Sequence, residues 1–305
     1  MHYLKTLLVS FMLLSSTSVV SLTFPMPKEG NIIGELQTIA PPSGKKTLGA
    51  LGQEYGIGLK EISAANPNND LWQLQTSDHI IIPSLFVLPP GPRTGIVINL
   101  SEMRLYYYHP DGETVSTYPI AVGREGWQTP TTSGIVISKE ANPTWYVPKS
   151  IQEESMRRNR PLPAVVPPGP QNPLGQYALR LSIPTILIHG TQSAHSIGQR
   201  SSHGCIRLLP NDIEALFKGV PVKTPVRIIH EPFKVGFRGN EIYLESHEPL
   251  PDHIEESQNQ LIDIAKMVSD HIPNGEYNID WTKSEAIARK ASGVPTVIGT
   301  TDNTQ

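Results

Sequence analysis

Cysteine is the residue that this chain most nearly lacks. Its 305 residues contain one, Cys205, which excludes an internal disulfide and leaves a free thiol, an intermolecular partner or a reactive group. An excess of charge of one sign is lacking as well. The formal net charge of −3 provides neither a basic surface for nucleic acid nor a polybasic segment for anionic membranes. Neither a disulfide scaffold nor a nucleic-acid-binding function is therefore supported.

The N-terminus has the pattern of an export signal. Lys5 precedes an apolar stretch, residues 7–20, which is shorter than the about 20 residues that a transmembrane helix needs. The small residues Ser21 and Thr23 follow it. We therefore expect a signal peptide over residues 1–23, the alternatives being a buried strand or a retained anchor. No cysteine lies nearby to accept a lipid, so the mature chain is expected without a membrane anchor, in an oxidising exported compartment.

The remaining sequence predicts a mainly β protein. The chain contains 29 prolines, which favour turns, loops and strand edges. Short β-rich runs recur at residues 95–100, 103–108, 117–122, 133–138, 183–189 and 226–230. Runs of this spacing, separated by turn residues, are typical of a β-sandwich or barrel rather than of a doubly wound sheet.

The segments differ enough in character to predict an order of parts. Helical spacing over residues 47–66, broken at Gly56 and Gly58, predicts two short helices, and the capping-box pair Thr282 and Glu285 predicts the start of a late one. The expected parts are a lead-in (24–35), a small β-α-α-β module (36–84), a proline-rich linker (85–93), a β-rich domain (94–231) and a C-terminal extension (232–305). Within the β-rich domain we expect a lid loop over about 148–175 that contains a short helix over 151–158. Within the extension we expect helices over 252–272 and 282–291.

The surroundings of Cys205 are suited to a reactive thiol. A cysteine nucleophile needs a nearby base or cation, and His203 and His189 are the candidates. On an extended strand His203 would share a face with Cys205, whereas His189 would approach from a neighbouring strand. Neither motif contains an acidic residue to orient the base, but a carbonyl near Gly190 can accept a ring N–H.

Further residues of the two motifs fit acyl-transfer chemistry. Gly204 suits a tight backbone whose amides face an oxyanion. Arg207 can bind a substrate carboxylate or brace the loop through backbone carbonyls. Other interpretations of the cluster stay open at this point: a buried structural cysteine, and a zinc site of His189, His203 and Cys205.

The two motifs resemble the signature of the L,D-transpeptidases with a YkuD-type catalytic domain. The matching runs extend from about residue 95 to 230 and are Gly95-Ile96-Val97-Ile98-Asn99, Arg104-Leu105-Tyr106, Pro119-Ile120-Ala121-Val122-Gly123, Thr129-Pro130, Asn172-Pro173-Leu174-Gly175, His189-Gly190-Thr191 and Ser202-His203-Gly204-Cys205-Ile206-Arg207-Leu208. The resemblance implies that Cys205 is the nucleophile and that His189, oriented by the Gly190 carbonyl, is the base. It also implies that His203, Gly204 and the Cys205 amide form the oxyanion site. Support of the loop or of the substrate is implied for Ser202, Arg207 and Thr191. It implies no metal and no cofactor.

The segments that flank the β-rich domain resemble those of one subgroup of this family. Residues 36–83 resemble a LysM glycan-binding module, with Tyr55-Gly56-Ile57, Ala65-Asn66-Pro67 and Ile80-Ile81-Ile82-Pro83 among the matches. Together with Phe24-Pro25-Met26-Pro27 and the tail around residues 280–295, this module is similar to the periplasmic subgroup that attaches an outer-membrane (Braun-type) lipoprotein to peptidoglycan.

The resemblance implies a substrate, a compartment and an acyl acceptor. The expected partners are peptidoglycan stem peptides and glycan, in the periplasm, with a lipoprotein lysine as acceptor. Three other reactions of the same enzyme stay open. The acyl group can be transferred to a second stem, which gives 3→3 crosslinks, or to water, which gives an L,D-carboxypeptidase. An enzyme that detaches the lipoprotein would be an amidase. A non-catalytic peptidoglycan-binding protein with a structural Cys205 stays open as well.

Overall fold

The computed structural model describes residues 22–41, 46–257, 259–272 and 276–301. The predicted signal peptide lies outside these ranges except for Leu22 and Thr23, which begin strand β1 (Leu22–Pro25). This strand pairs antiparallel with residues 114–117 of the central sheet, and Thr23 Oγ1 lies 2.7 Å from Ser116 Oγ. Within the described ranges, no helix has the length and apolarity to cross a bilayer.

The module after the lead-in contains two short helices between short strands. Strand β2 (Ile32–Gly34) lies in the predicted lead-in, the module itself contains β3 (Gln37–Ile39), α1 (Leu48–Glu54), α2 (Leu59–Ala65) and β4 (Ile80–Ile82), and β5 (Leu85–Val87) occupies the start of the segment predicted as a linker. The two predicted helices are confirmed. Thr47 begins α1 because its Oγ1 accepts the Ala50 N–H at 3.1 Å, which satisfies an amide that has no partner inside the helix. Strand β3 pairs with β4, and β2 with β5.

A curled sheet forms the β-rich domain, so the predicted mainly β class is confirmed. Its elements are β6 (Gly95–Asn99), β7 (Arg104–Tyr108), β8 (Thr114–Pro119), β9 (Val122–Gly123), β10 (Thr132–Ala141), β11 (Trp145–Tyr146), α3 (Lys149–Arg157), β12 (Val165–Val166), β13 (Tyr177–Leu181), β14 (Leu187–Gly190), β15 (Arg200–Ser202), β16 (Ile206–Leu208), α4 (Pro210–Gly219) and β17 (Pro225–Ile229). The nine-stranded sheet has the order β1-β8-β7-β6-β17-β10-β13-β14-β16. Its main core includes Ile98, Val136 and Ile188 from the sheet and Leu216 from α4.

The strand predicted over residues 183–189 begins later than expected, at Leu187. Pro184 follows Ile183, and Thr185 has a positive φ of 66°, a backbone conformation that extended strands do not contain. The Ile186 N–H instead donates to the Ile183 carbonyl in a turn. This turn places residues 183–186 beside the loop that carries Cys205.

The C-terminal extension adds a second small sheet. Its elements are β18 (Phe233–Arg238), β19 (Glu241–Ser246), α5 (Gln260–His271), β20 (Tyr277–Ile279), α6 (Trp281–Lys290) and β21 (Thr296–Thr301), with two 3₁₀ turns at Pro251–His253 and Glu255–Ser257. The helix predicted from residue 252 therefore begins at Gln260. The capping prediction for Thr282 is wrong as well: Asp280 Oδ1 accepts the Lys283 N–H at 2.8 Å, which starts α6 one residue earlier.

Two buried ion pairs attach both flanking parts to the same hairpin of the β-rich domain. Arg104 on β7 pairs with Glu61 of α2 at 2.7 Å. Lys234 on β18 pairs with Glu102 at 2.8 Å and with Glu245 of β19 at 2.9 Å. All these side chains are almost inaccessible to solvent. Because buried charges are tolerated when they are paired, the pairs fix where the module and the extension contact the domain.

Candidate active site

A cleft of about 660 Å³ lies beside Cys205, within the usual range for small-ligand sites. Six predicted site residues line it: His189, Ser202, His203, Gly204, Cys205 and Arg207. Gly190 and Thr191 are not among the residues that line the cleft. Thr191 Oγ1 accepts the Ser193 N–H at 3.0 Å. The segment predicted to be a lid loop contributes Pro148, Ile151 and Leu162 to the lining.

Strand pairing brings the two chemical motifs together. Strands β14 and β16 run parallel with Ile188 opposite Ile206, so His189 lies beside the segment that begins at Cys205. The expected approach of His189 from a neighbouring strand is therefore present. The interpretation in which His203 and Cys205 share a strand face is wrong, since β15 ends at Ser202 and β16 begins at Ile206. Residues 203–205 form a bend in which Gly204 has φ +98°, a conformation that favours glycine.

His189 is held in one tautomer. Its ring is 3% exposed, and Nδ1 lies 2.6 Å from the Gly190 carbonyl oxygen. A carbonyl oxygen only accepts, so Nδ1 carries the proton and Nε2 of the neutral ring is free to take one. Burial lowers the pKa of His189 to about 4, with a further decrease from the Arg207 charge and a partial offset from hydrogen bonds to the Gly190 and Leu174 carbonyls. At neutral pH the ring is an uncharged base.

Cys205 is a protonated thiol in this arrangement. Burial raises its pKa, and a hydrogen bond from the Leu187 backbone and the charge of Arg207 only partly offset that rise. The Sγ–H donates to the Thr185 carbonyl at 3.4 Å. Neither histidine provides a charge that would stabilise a thiolate, because burial lowers the pKa of His189 and of His203. The side chain is nevertheless partly exposed to the cleft.

Ser202 fixes the backbone around the cysteine. Its Oγ donates to the Cys205 carbonyl at 2.5 Å and accepts the Gly204 N–H at 3.1 Å. The Gly204 amide is therefore occupied. Arg207 donates from Nη1 to the Ser201 carbonyl at 3.3 Å, which supports the bracing interpretation of this residue, while its guanidinium also faces the cleft.

His203 belongs to a charged cluster that the sequence did not indicate. Its Nε2 lies 2.8 Å from Glu154 Oε2, on α3 of the lid loop. Arg124 donates to both oxygens of Glu154, at 2.6 and 2.7 Å, and the Trp127 ring contacts the His203 ring edge-on. The hydrogen bond from Arg124 is the main reason why the pKa of Glu154 falls to about 2. Because the carboxylate stays ionised, it holds the lid helix against the loop of the nucleophile.

Thr129, which sequence reasoning missed, makes a second contact with the loop at residues 203–205. The buried hydroxyl of Thr129 accepts the Gly123 N–H at 2.9 Å and donates to the Gly204 carbonyl at 2.7 Å. Thr129 stands in one of the family-like runs, and that was its only signal in the sequence.

The zinc interpretation does not fit the geometry. Among the described residues, three metal-ligand side chains converge at Glu102, Glu245 and His247, whose ligand atoms lie within 4.8 Å of one another. His189, His203 and Cys205 do not form such a set. The ammonium of Lys234 already lies between Glu102 and Glu245, so their negative charge is compensated without an ion.

Comparisons with known proteins agree with the motifs. Residues 93–228 match the YkuD family model, described as an L,D-transpeptidase catalytic domain. The chain is 36% identical over 300 residues to Probable L,D-transpeptidase ErfK/SrfK of Escherichia coli (strain K12), covering 96% of each chain. It is 37% identical over 301 residues to Probable L,D-transpeptidase YbiS of the same strain, covering 96% of this chain and 97% of that one. A solved L,D-transpeptidase from Mycobacterium smegmatis is 20% identical, with a TM-score of 0.37 and coverage of 52% of this chain and 71% of that chain.

Proposed function

The chain belongs to the YkuD-type L,D-transpeptidases and is a cysteine-dependent enzyme; from this premise we propose that Cys205, its only cysteine, is the nucleophile. Sγ attacks the carbonyl carbon between the third residue of a tetrapeptide stem, a diamino acid such as meso-diaminopimelate, and D-Ala. The C–N bond breaks, D-Ala leaves as an amine, and a thioester remains on Cys205. An amine then attacks the thioester, forming a new amide and regenerating the thiol.

His189 carries the protons in both steps. The observation that supports this role is the 2.6 Å hydrogen bond from its Nδ1–H to the Gly190 carbonyl, because it leaves Nε2 unprotonated on a ring that is neutral at pH 7. Nε2 takes the thiol proton as Sγ attacks and delivers it to the departing D-Ala nitrogen. Since Cys205 rests as a thiol, the attack requires that its proton be transferred to His189.

The oxyanion of the tetrahedral intermediate is stabilised by the loop at residues 203–205. The Gly204 N–H already donates to Ser202 Oγ, so the Cys205 N–H is the donor that we assign to the oxyanion. His203 and Gly204 shape the site around that amide, and Ser202, Arg207 and Thr191 support it. Backbone donors that are already oriented need no reorganisation as charge develops.

For the acceptor, we propose the side-chain amine of a C-terminal lysine on an outer-membrane lipoprotein. Residues 36–84 serve as a LysM-like glycan-binding module that holds the enzyme on peptidoglycan, and Trp72, 77% exposed, offers an indole face to a sugar. The chain acts in the periplasm after removal of its signal peptide. Cleavage after Ser21 is favoured over cleavage after Thr23, because Thr23 contributes to the pairing of β1 with the sheet.

The donor reaction is tested by incubating the protein with purified tetrapeptide fragments. Release of D-Ala and a thioester adduct on Cys205, seen by intact-protein mass spectrometry, are expected. A folded Cys205→Ala variant that still releases D-Ala contradicts the assignment, as does a slow, unreactive thiol that forms no adduct with a carbapenem, which would favour a non-catalytic binding protein.

The acceptor is tested in the same mixture with a synthetic peptide ending in lysine. We expect a product that joins the tripeptide stem to the lysine Nε, and no such product from the matched peptide with an Nε-acetylated terminal lysine. Crosslinked stem dimers as the sole product would assign 3→3 crosslinking instead, and free tripeptide alone would assign an L,D-carboxypeptidase. Trp72→Ala is expected to weaken co-sedimentation with insoluble peptidoglycan while D-Ala release from soluble fragments is unchanged.

A further inference from the structure

A continuous set of polar contacts leads from the C-terminal extension to the nucleophile loop. The carboxylate of Asp252, in the first 3₁₀ turn of the extension, forms an ion pair with the guanidinium of Arg200. Arg200 also donates from Nε to the Gly123 carbonyl at 3.1 Å. The N–H of Gly123 donates to Thr129 Oγ1, which donates to the Gly204 carbonyl.

Asp252 also contacts the segment at residues 123–129 directly. Its Oδ1 accepts from Gln128 Nε2 at 3.2 Å, so the carboxylate supports one end of the segment itself and the other end, at Gly123, through Arg200. That segment is tightly folded on itself: a Cβ added to Gly123 would lie 2.1 Å from the Trp127 carbonyl oxygen. The segment also contacts the strand that leads into the nucleophile loop, since the Arg124 N–H donates to the Ser202 carbonyl at 3.1 Å. The extension therefore braces the turn that supports the catalytic loop.

The last contact in this set determines where an amide points. Gly204 C=O and Cys205 N–H belong to one planar peptide unit, and in a trans peptide they point in opposite directions. The described residues contain no cis peptide bond. When Thr129 fixes the Gly204 oxygen, it consequently fixes the direction of the Cys205 N–H, on the far side of the same plane. Gly204, with φ +98°, is the residue of the loop that can rotate most freely without this contact.

We propose that Asp252 is a positioning residue of the transpeptidase site: through Arg200, Gly123 and Thr129 it orients the peptide plane whose N–H receives the oxyanion. This inference rests on the proposed role of Cys205 and gives the extension a part in the reaction. The side chains of Arg200 and Asp252 are 17% and 23% exposed, so the ion pair is partly shielded from solvent.

The test compares Asp252→Asn with the matched control Asp270→Asn, which removes one charge from an exposed pair of α5 with Lys266. For Asp252→Asn we expect kcat for D-Ala release to fall about tenfold, less than the roughly 10²-fold that a 1 Å misplacement of a reacting group can cost, with KM within about twofold of the wild type. Alkylation of Cys205 by iodoacetamide passes through no tetrahedral oxyanion, so its rate should stay unchanged. Asp270→Asn should alter none of these quantities.

A second pair of variants tests the final contact. Thr129→Ser keeps the hydroxyl and should retain kcat to within a few fold, whereas Thr129→Val should lower kcat more than Asp252→Asn does, again with unchanged alkylation. An unaltered kcat for Asp252→Asn, or a parallel fall in kcat and alkylation rate, overturns the inference because the contact is then absent or only structural. A wild-type protein that releases no D-Ala overturns the proposed function itself, which separates the two failures.

Discussion

The carboxylate of Glu154 lies 2.8 Å from Nε2 of His203, although the two residues are 49 positions apart. Glu154 stands on α3, the helix of the lid loop, and His203 stands two residues before the nucleophile. Arg124 and Arg158 donate to the same carboxylate, which therefore remains ionised and acceptor-only. The charge of Glu154 thus connects α3, in the segment predicted to be a lid, to the loop that contains Cys205.

Removing that charge should loosen the lid. For Glu154→Gln we expect KM for a tetrapeptide to rise several fold, since α3 lines the cleft and loses its ion pair with Arg124, while kcat changes less. Glu153→Gln, one residue earlier on the exposed face of α3, is the matched control and should behave as the wild type. Steady-state kinetics of D-Ala release measure both values. A Glu154→Gln variant with unaltered KM would show that the lid is held by other contacts.

The pH dependence of acylation should reflect the buried histidine. The pKa of His189 lies near 4 rather than at the ordinary 6.5, so the ring stays a base down to acidic pH. We expect kcat/KM for D-Ala release to hold nearly constant from pH 7 to 6 and to decline toward pH 4. An acid limb with its midpoint at 6.5 would contradict the neutral, buried state of His189.

The same shift predicts how stability depends on pH. The unfolded chain binds a proton at His189 below pH 6.5, whereas the folded chain binds it only near pH 4, so stability is lost as pH falls through this window. Urea unfolding at pH 7 and pH 5 measures the loss. The loss should be smaller in a folded His189→Gln variant, which has no titrating ring at this position.

Replacing the base should lower the rate without preventing folding. For His189→Ala we expect acyl-enzyme formation to slow by about 10² to 10⁴ fold, the usual contribution of general base catalysis. His195→Ala is the control, because His195 is exposed, in the 3₁₀ turn Ala194–Ser196. The rate of carbapenem adduct formation, followed by mass spectrometry, distinguishes the two. Equal rates in both variants would remove His189 from the mechanism.

The buried lysine of the extension should matter for stability. Lys234→Met removes the ammonium that lies between Glu102 and Glu245 and leaves only the ring of His247 beside Glu245, and removal of one partner from a buried ion pair costs about 3–5 kcal/mol. Chemical denaturation should report this decrease in the free energy of unfolding. Lys266→Met, which removes an exposed lysine from α5, should change it by less than about 1 kcal/mol. A comparable effect of the two substitutions would mean that the buried pairs do not hold the extension in place.

Local sequence patterns predicted those elements of the fold that depend mainly on residues close together in the chain. The spacing over residues 47–66 predicted α1 and α2, and Gly56 and Gly58 marked the break between them. Where a nearby residue competed, local reasoning erred. Asp280 caps α6 ahead of the Thr282 pair, and Pro184 with Thr185 delays β14. Strand β18 was not predicted at all, although its burial against β19 is complete over most of its length.

The sequence by itself determined the family, through its ordered motifs, and the candidate residues of the site. A single cysteine, two histidines in short motifs and a nearby carbonyl at Gly190 are features of residue type and adjacency, but they left both His189 and His203 open as the base. Tertiary structure decided the resting protonation of Cys205 and His189, because burial sets both pKa values. It also decided the supports of the site, Glu154, Thr129 and Asp252, which lie 49, 75 and 52 positions from their partners. Such contacts arise only when the sheet brings distant segments together, and no local pattern records them.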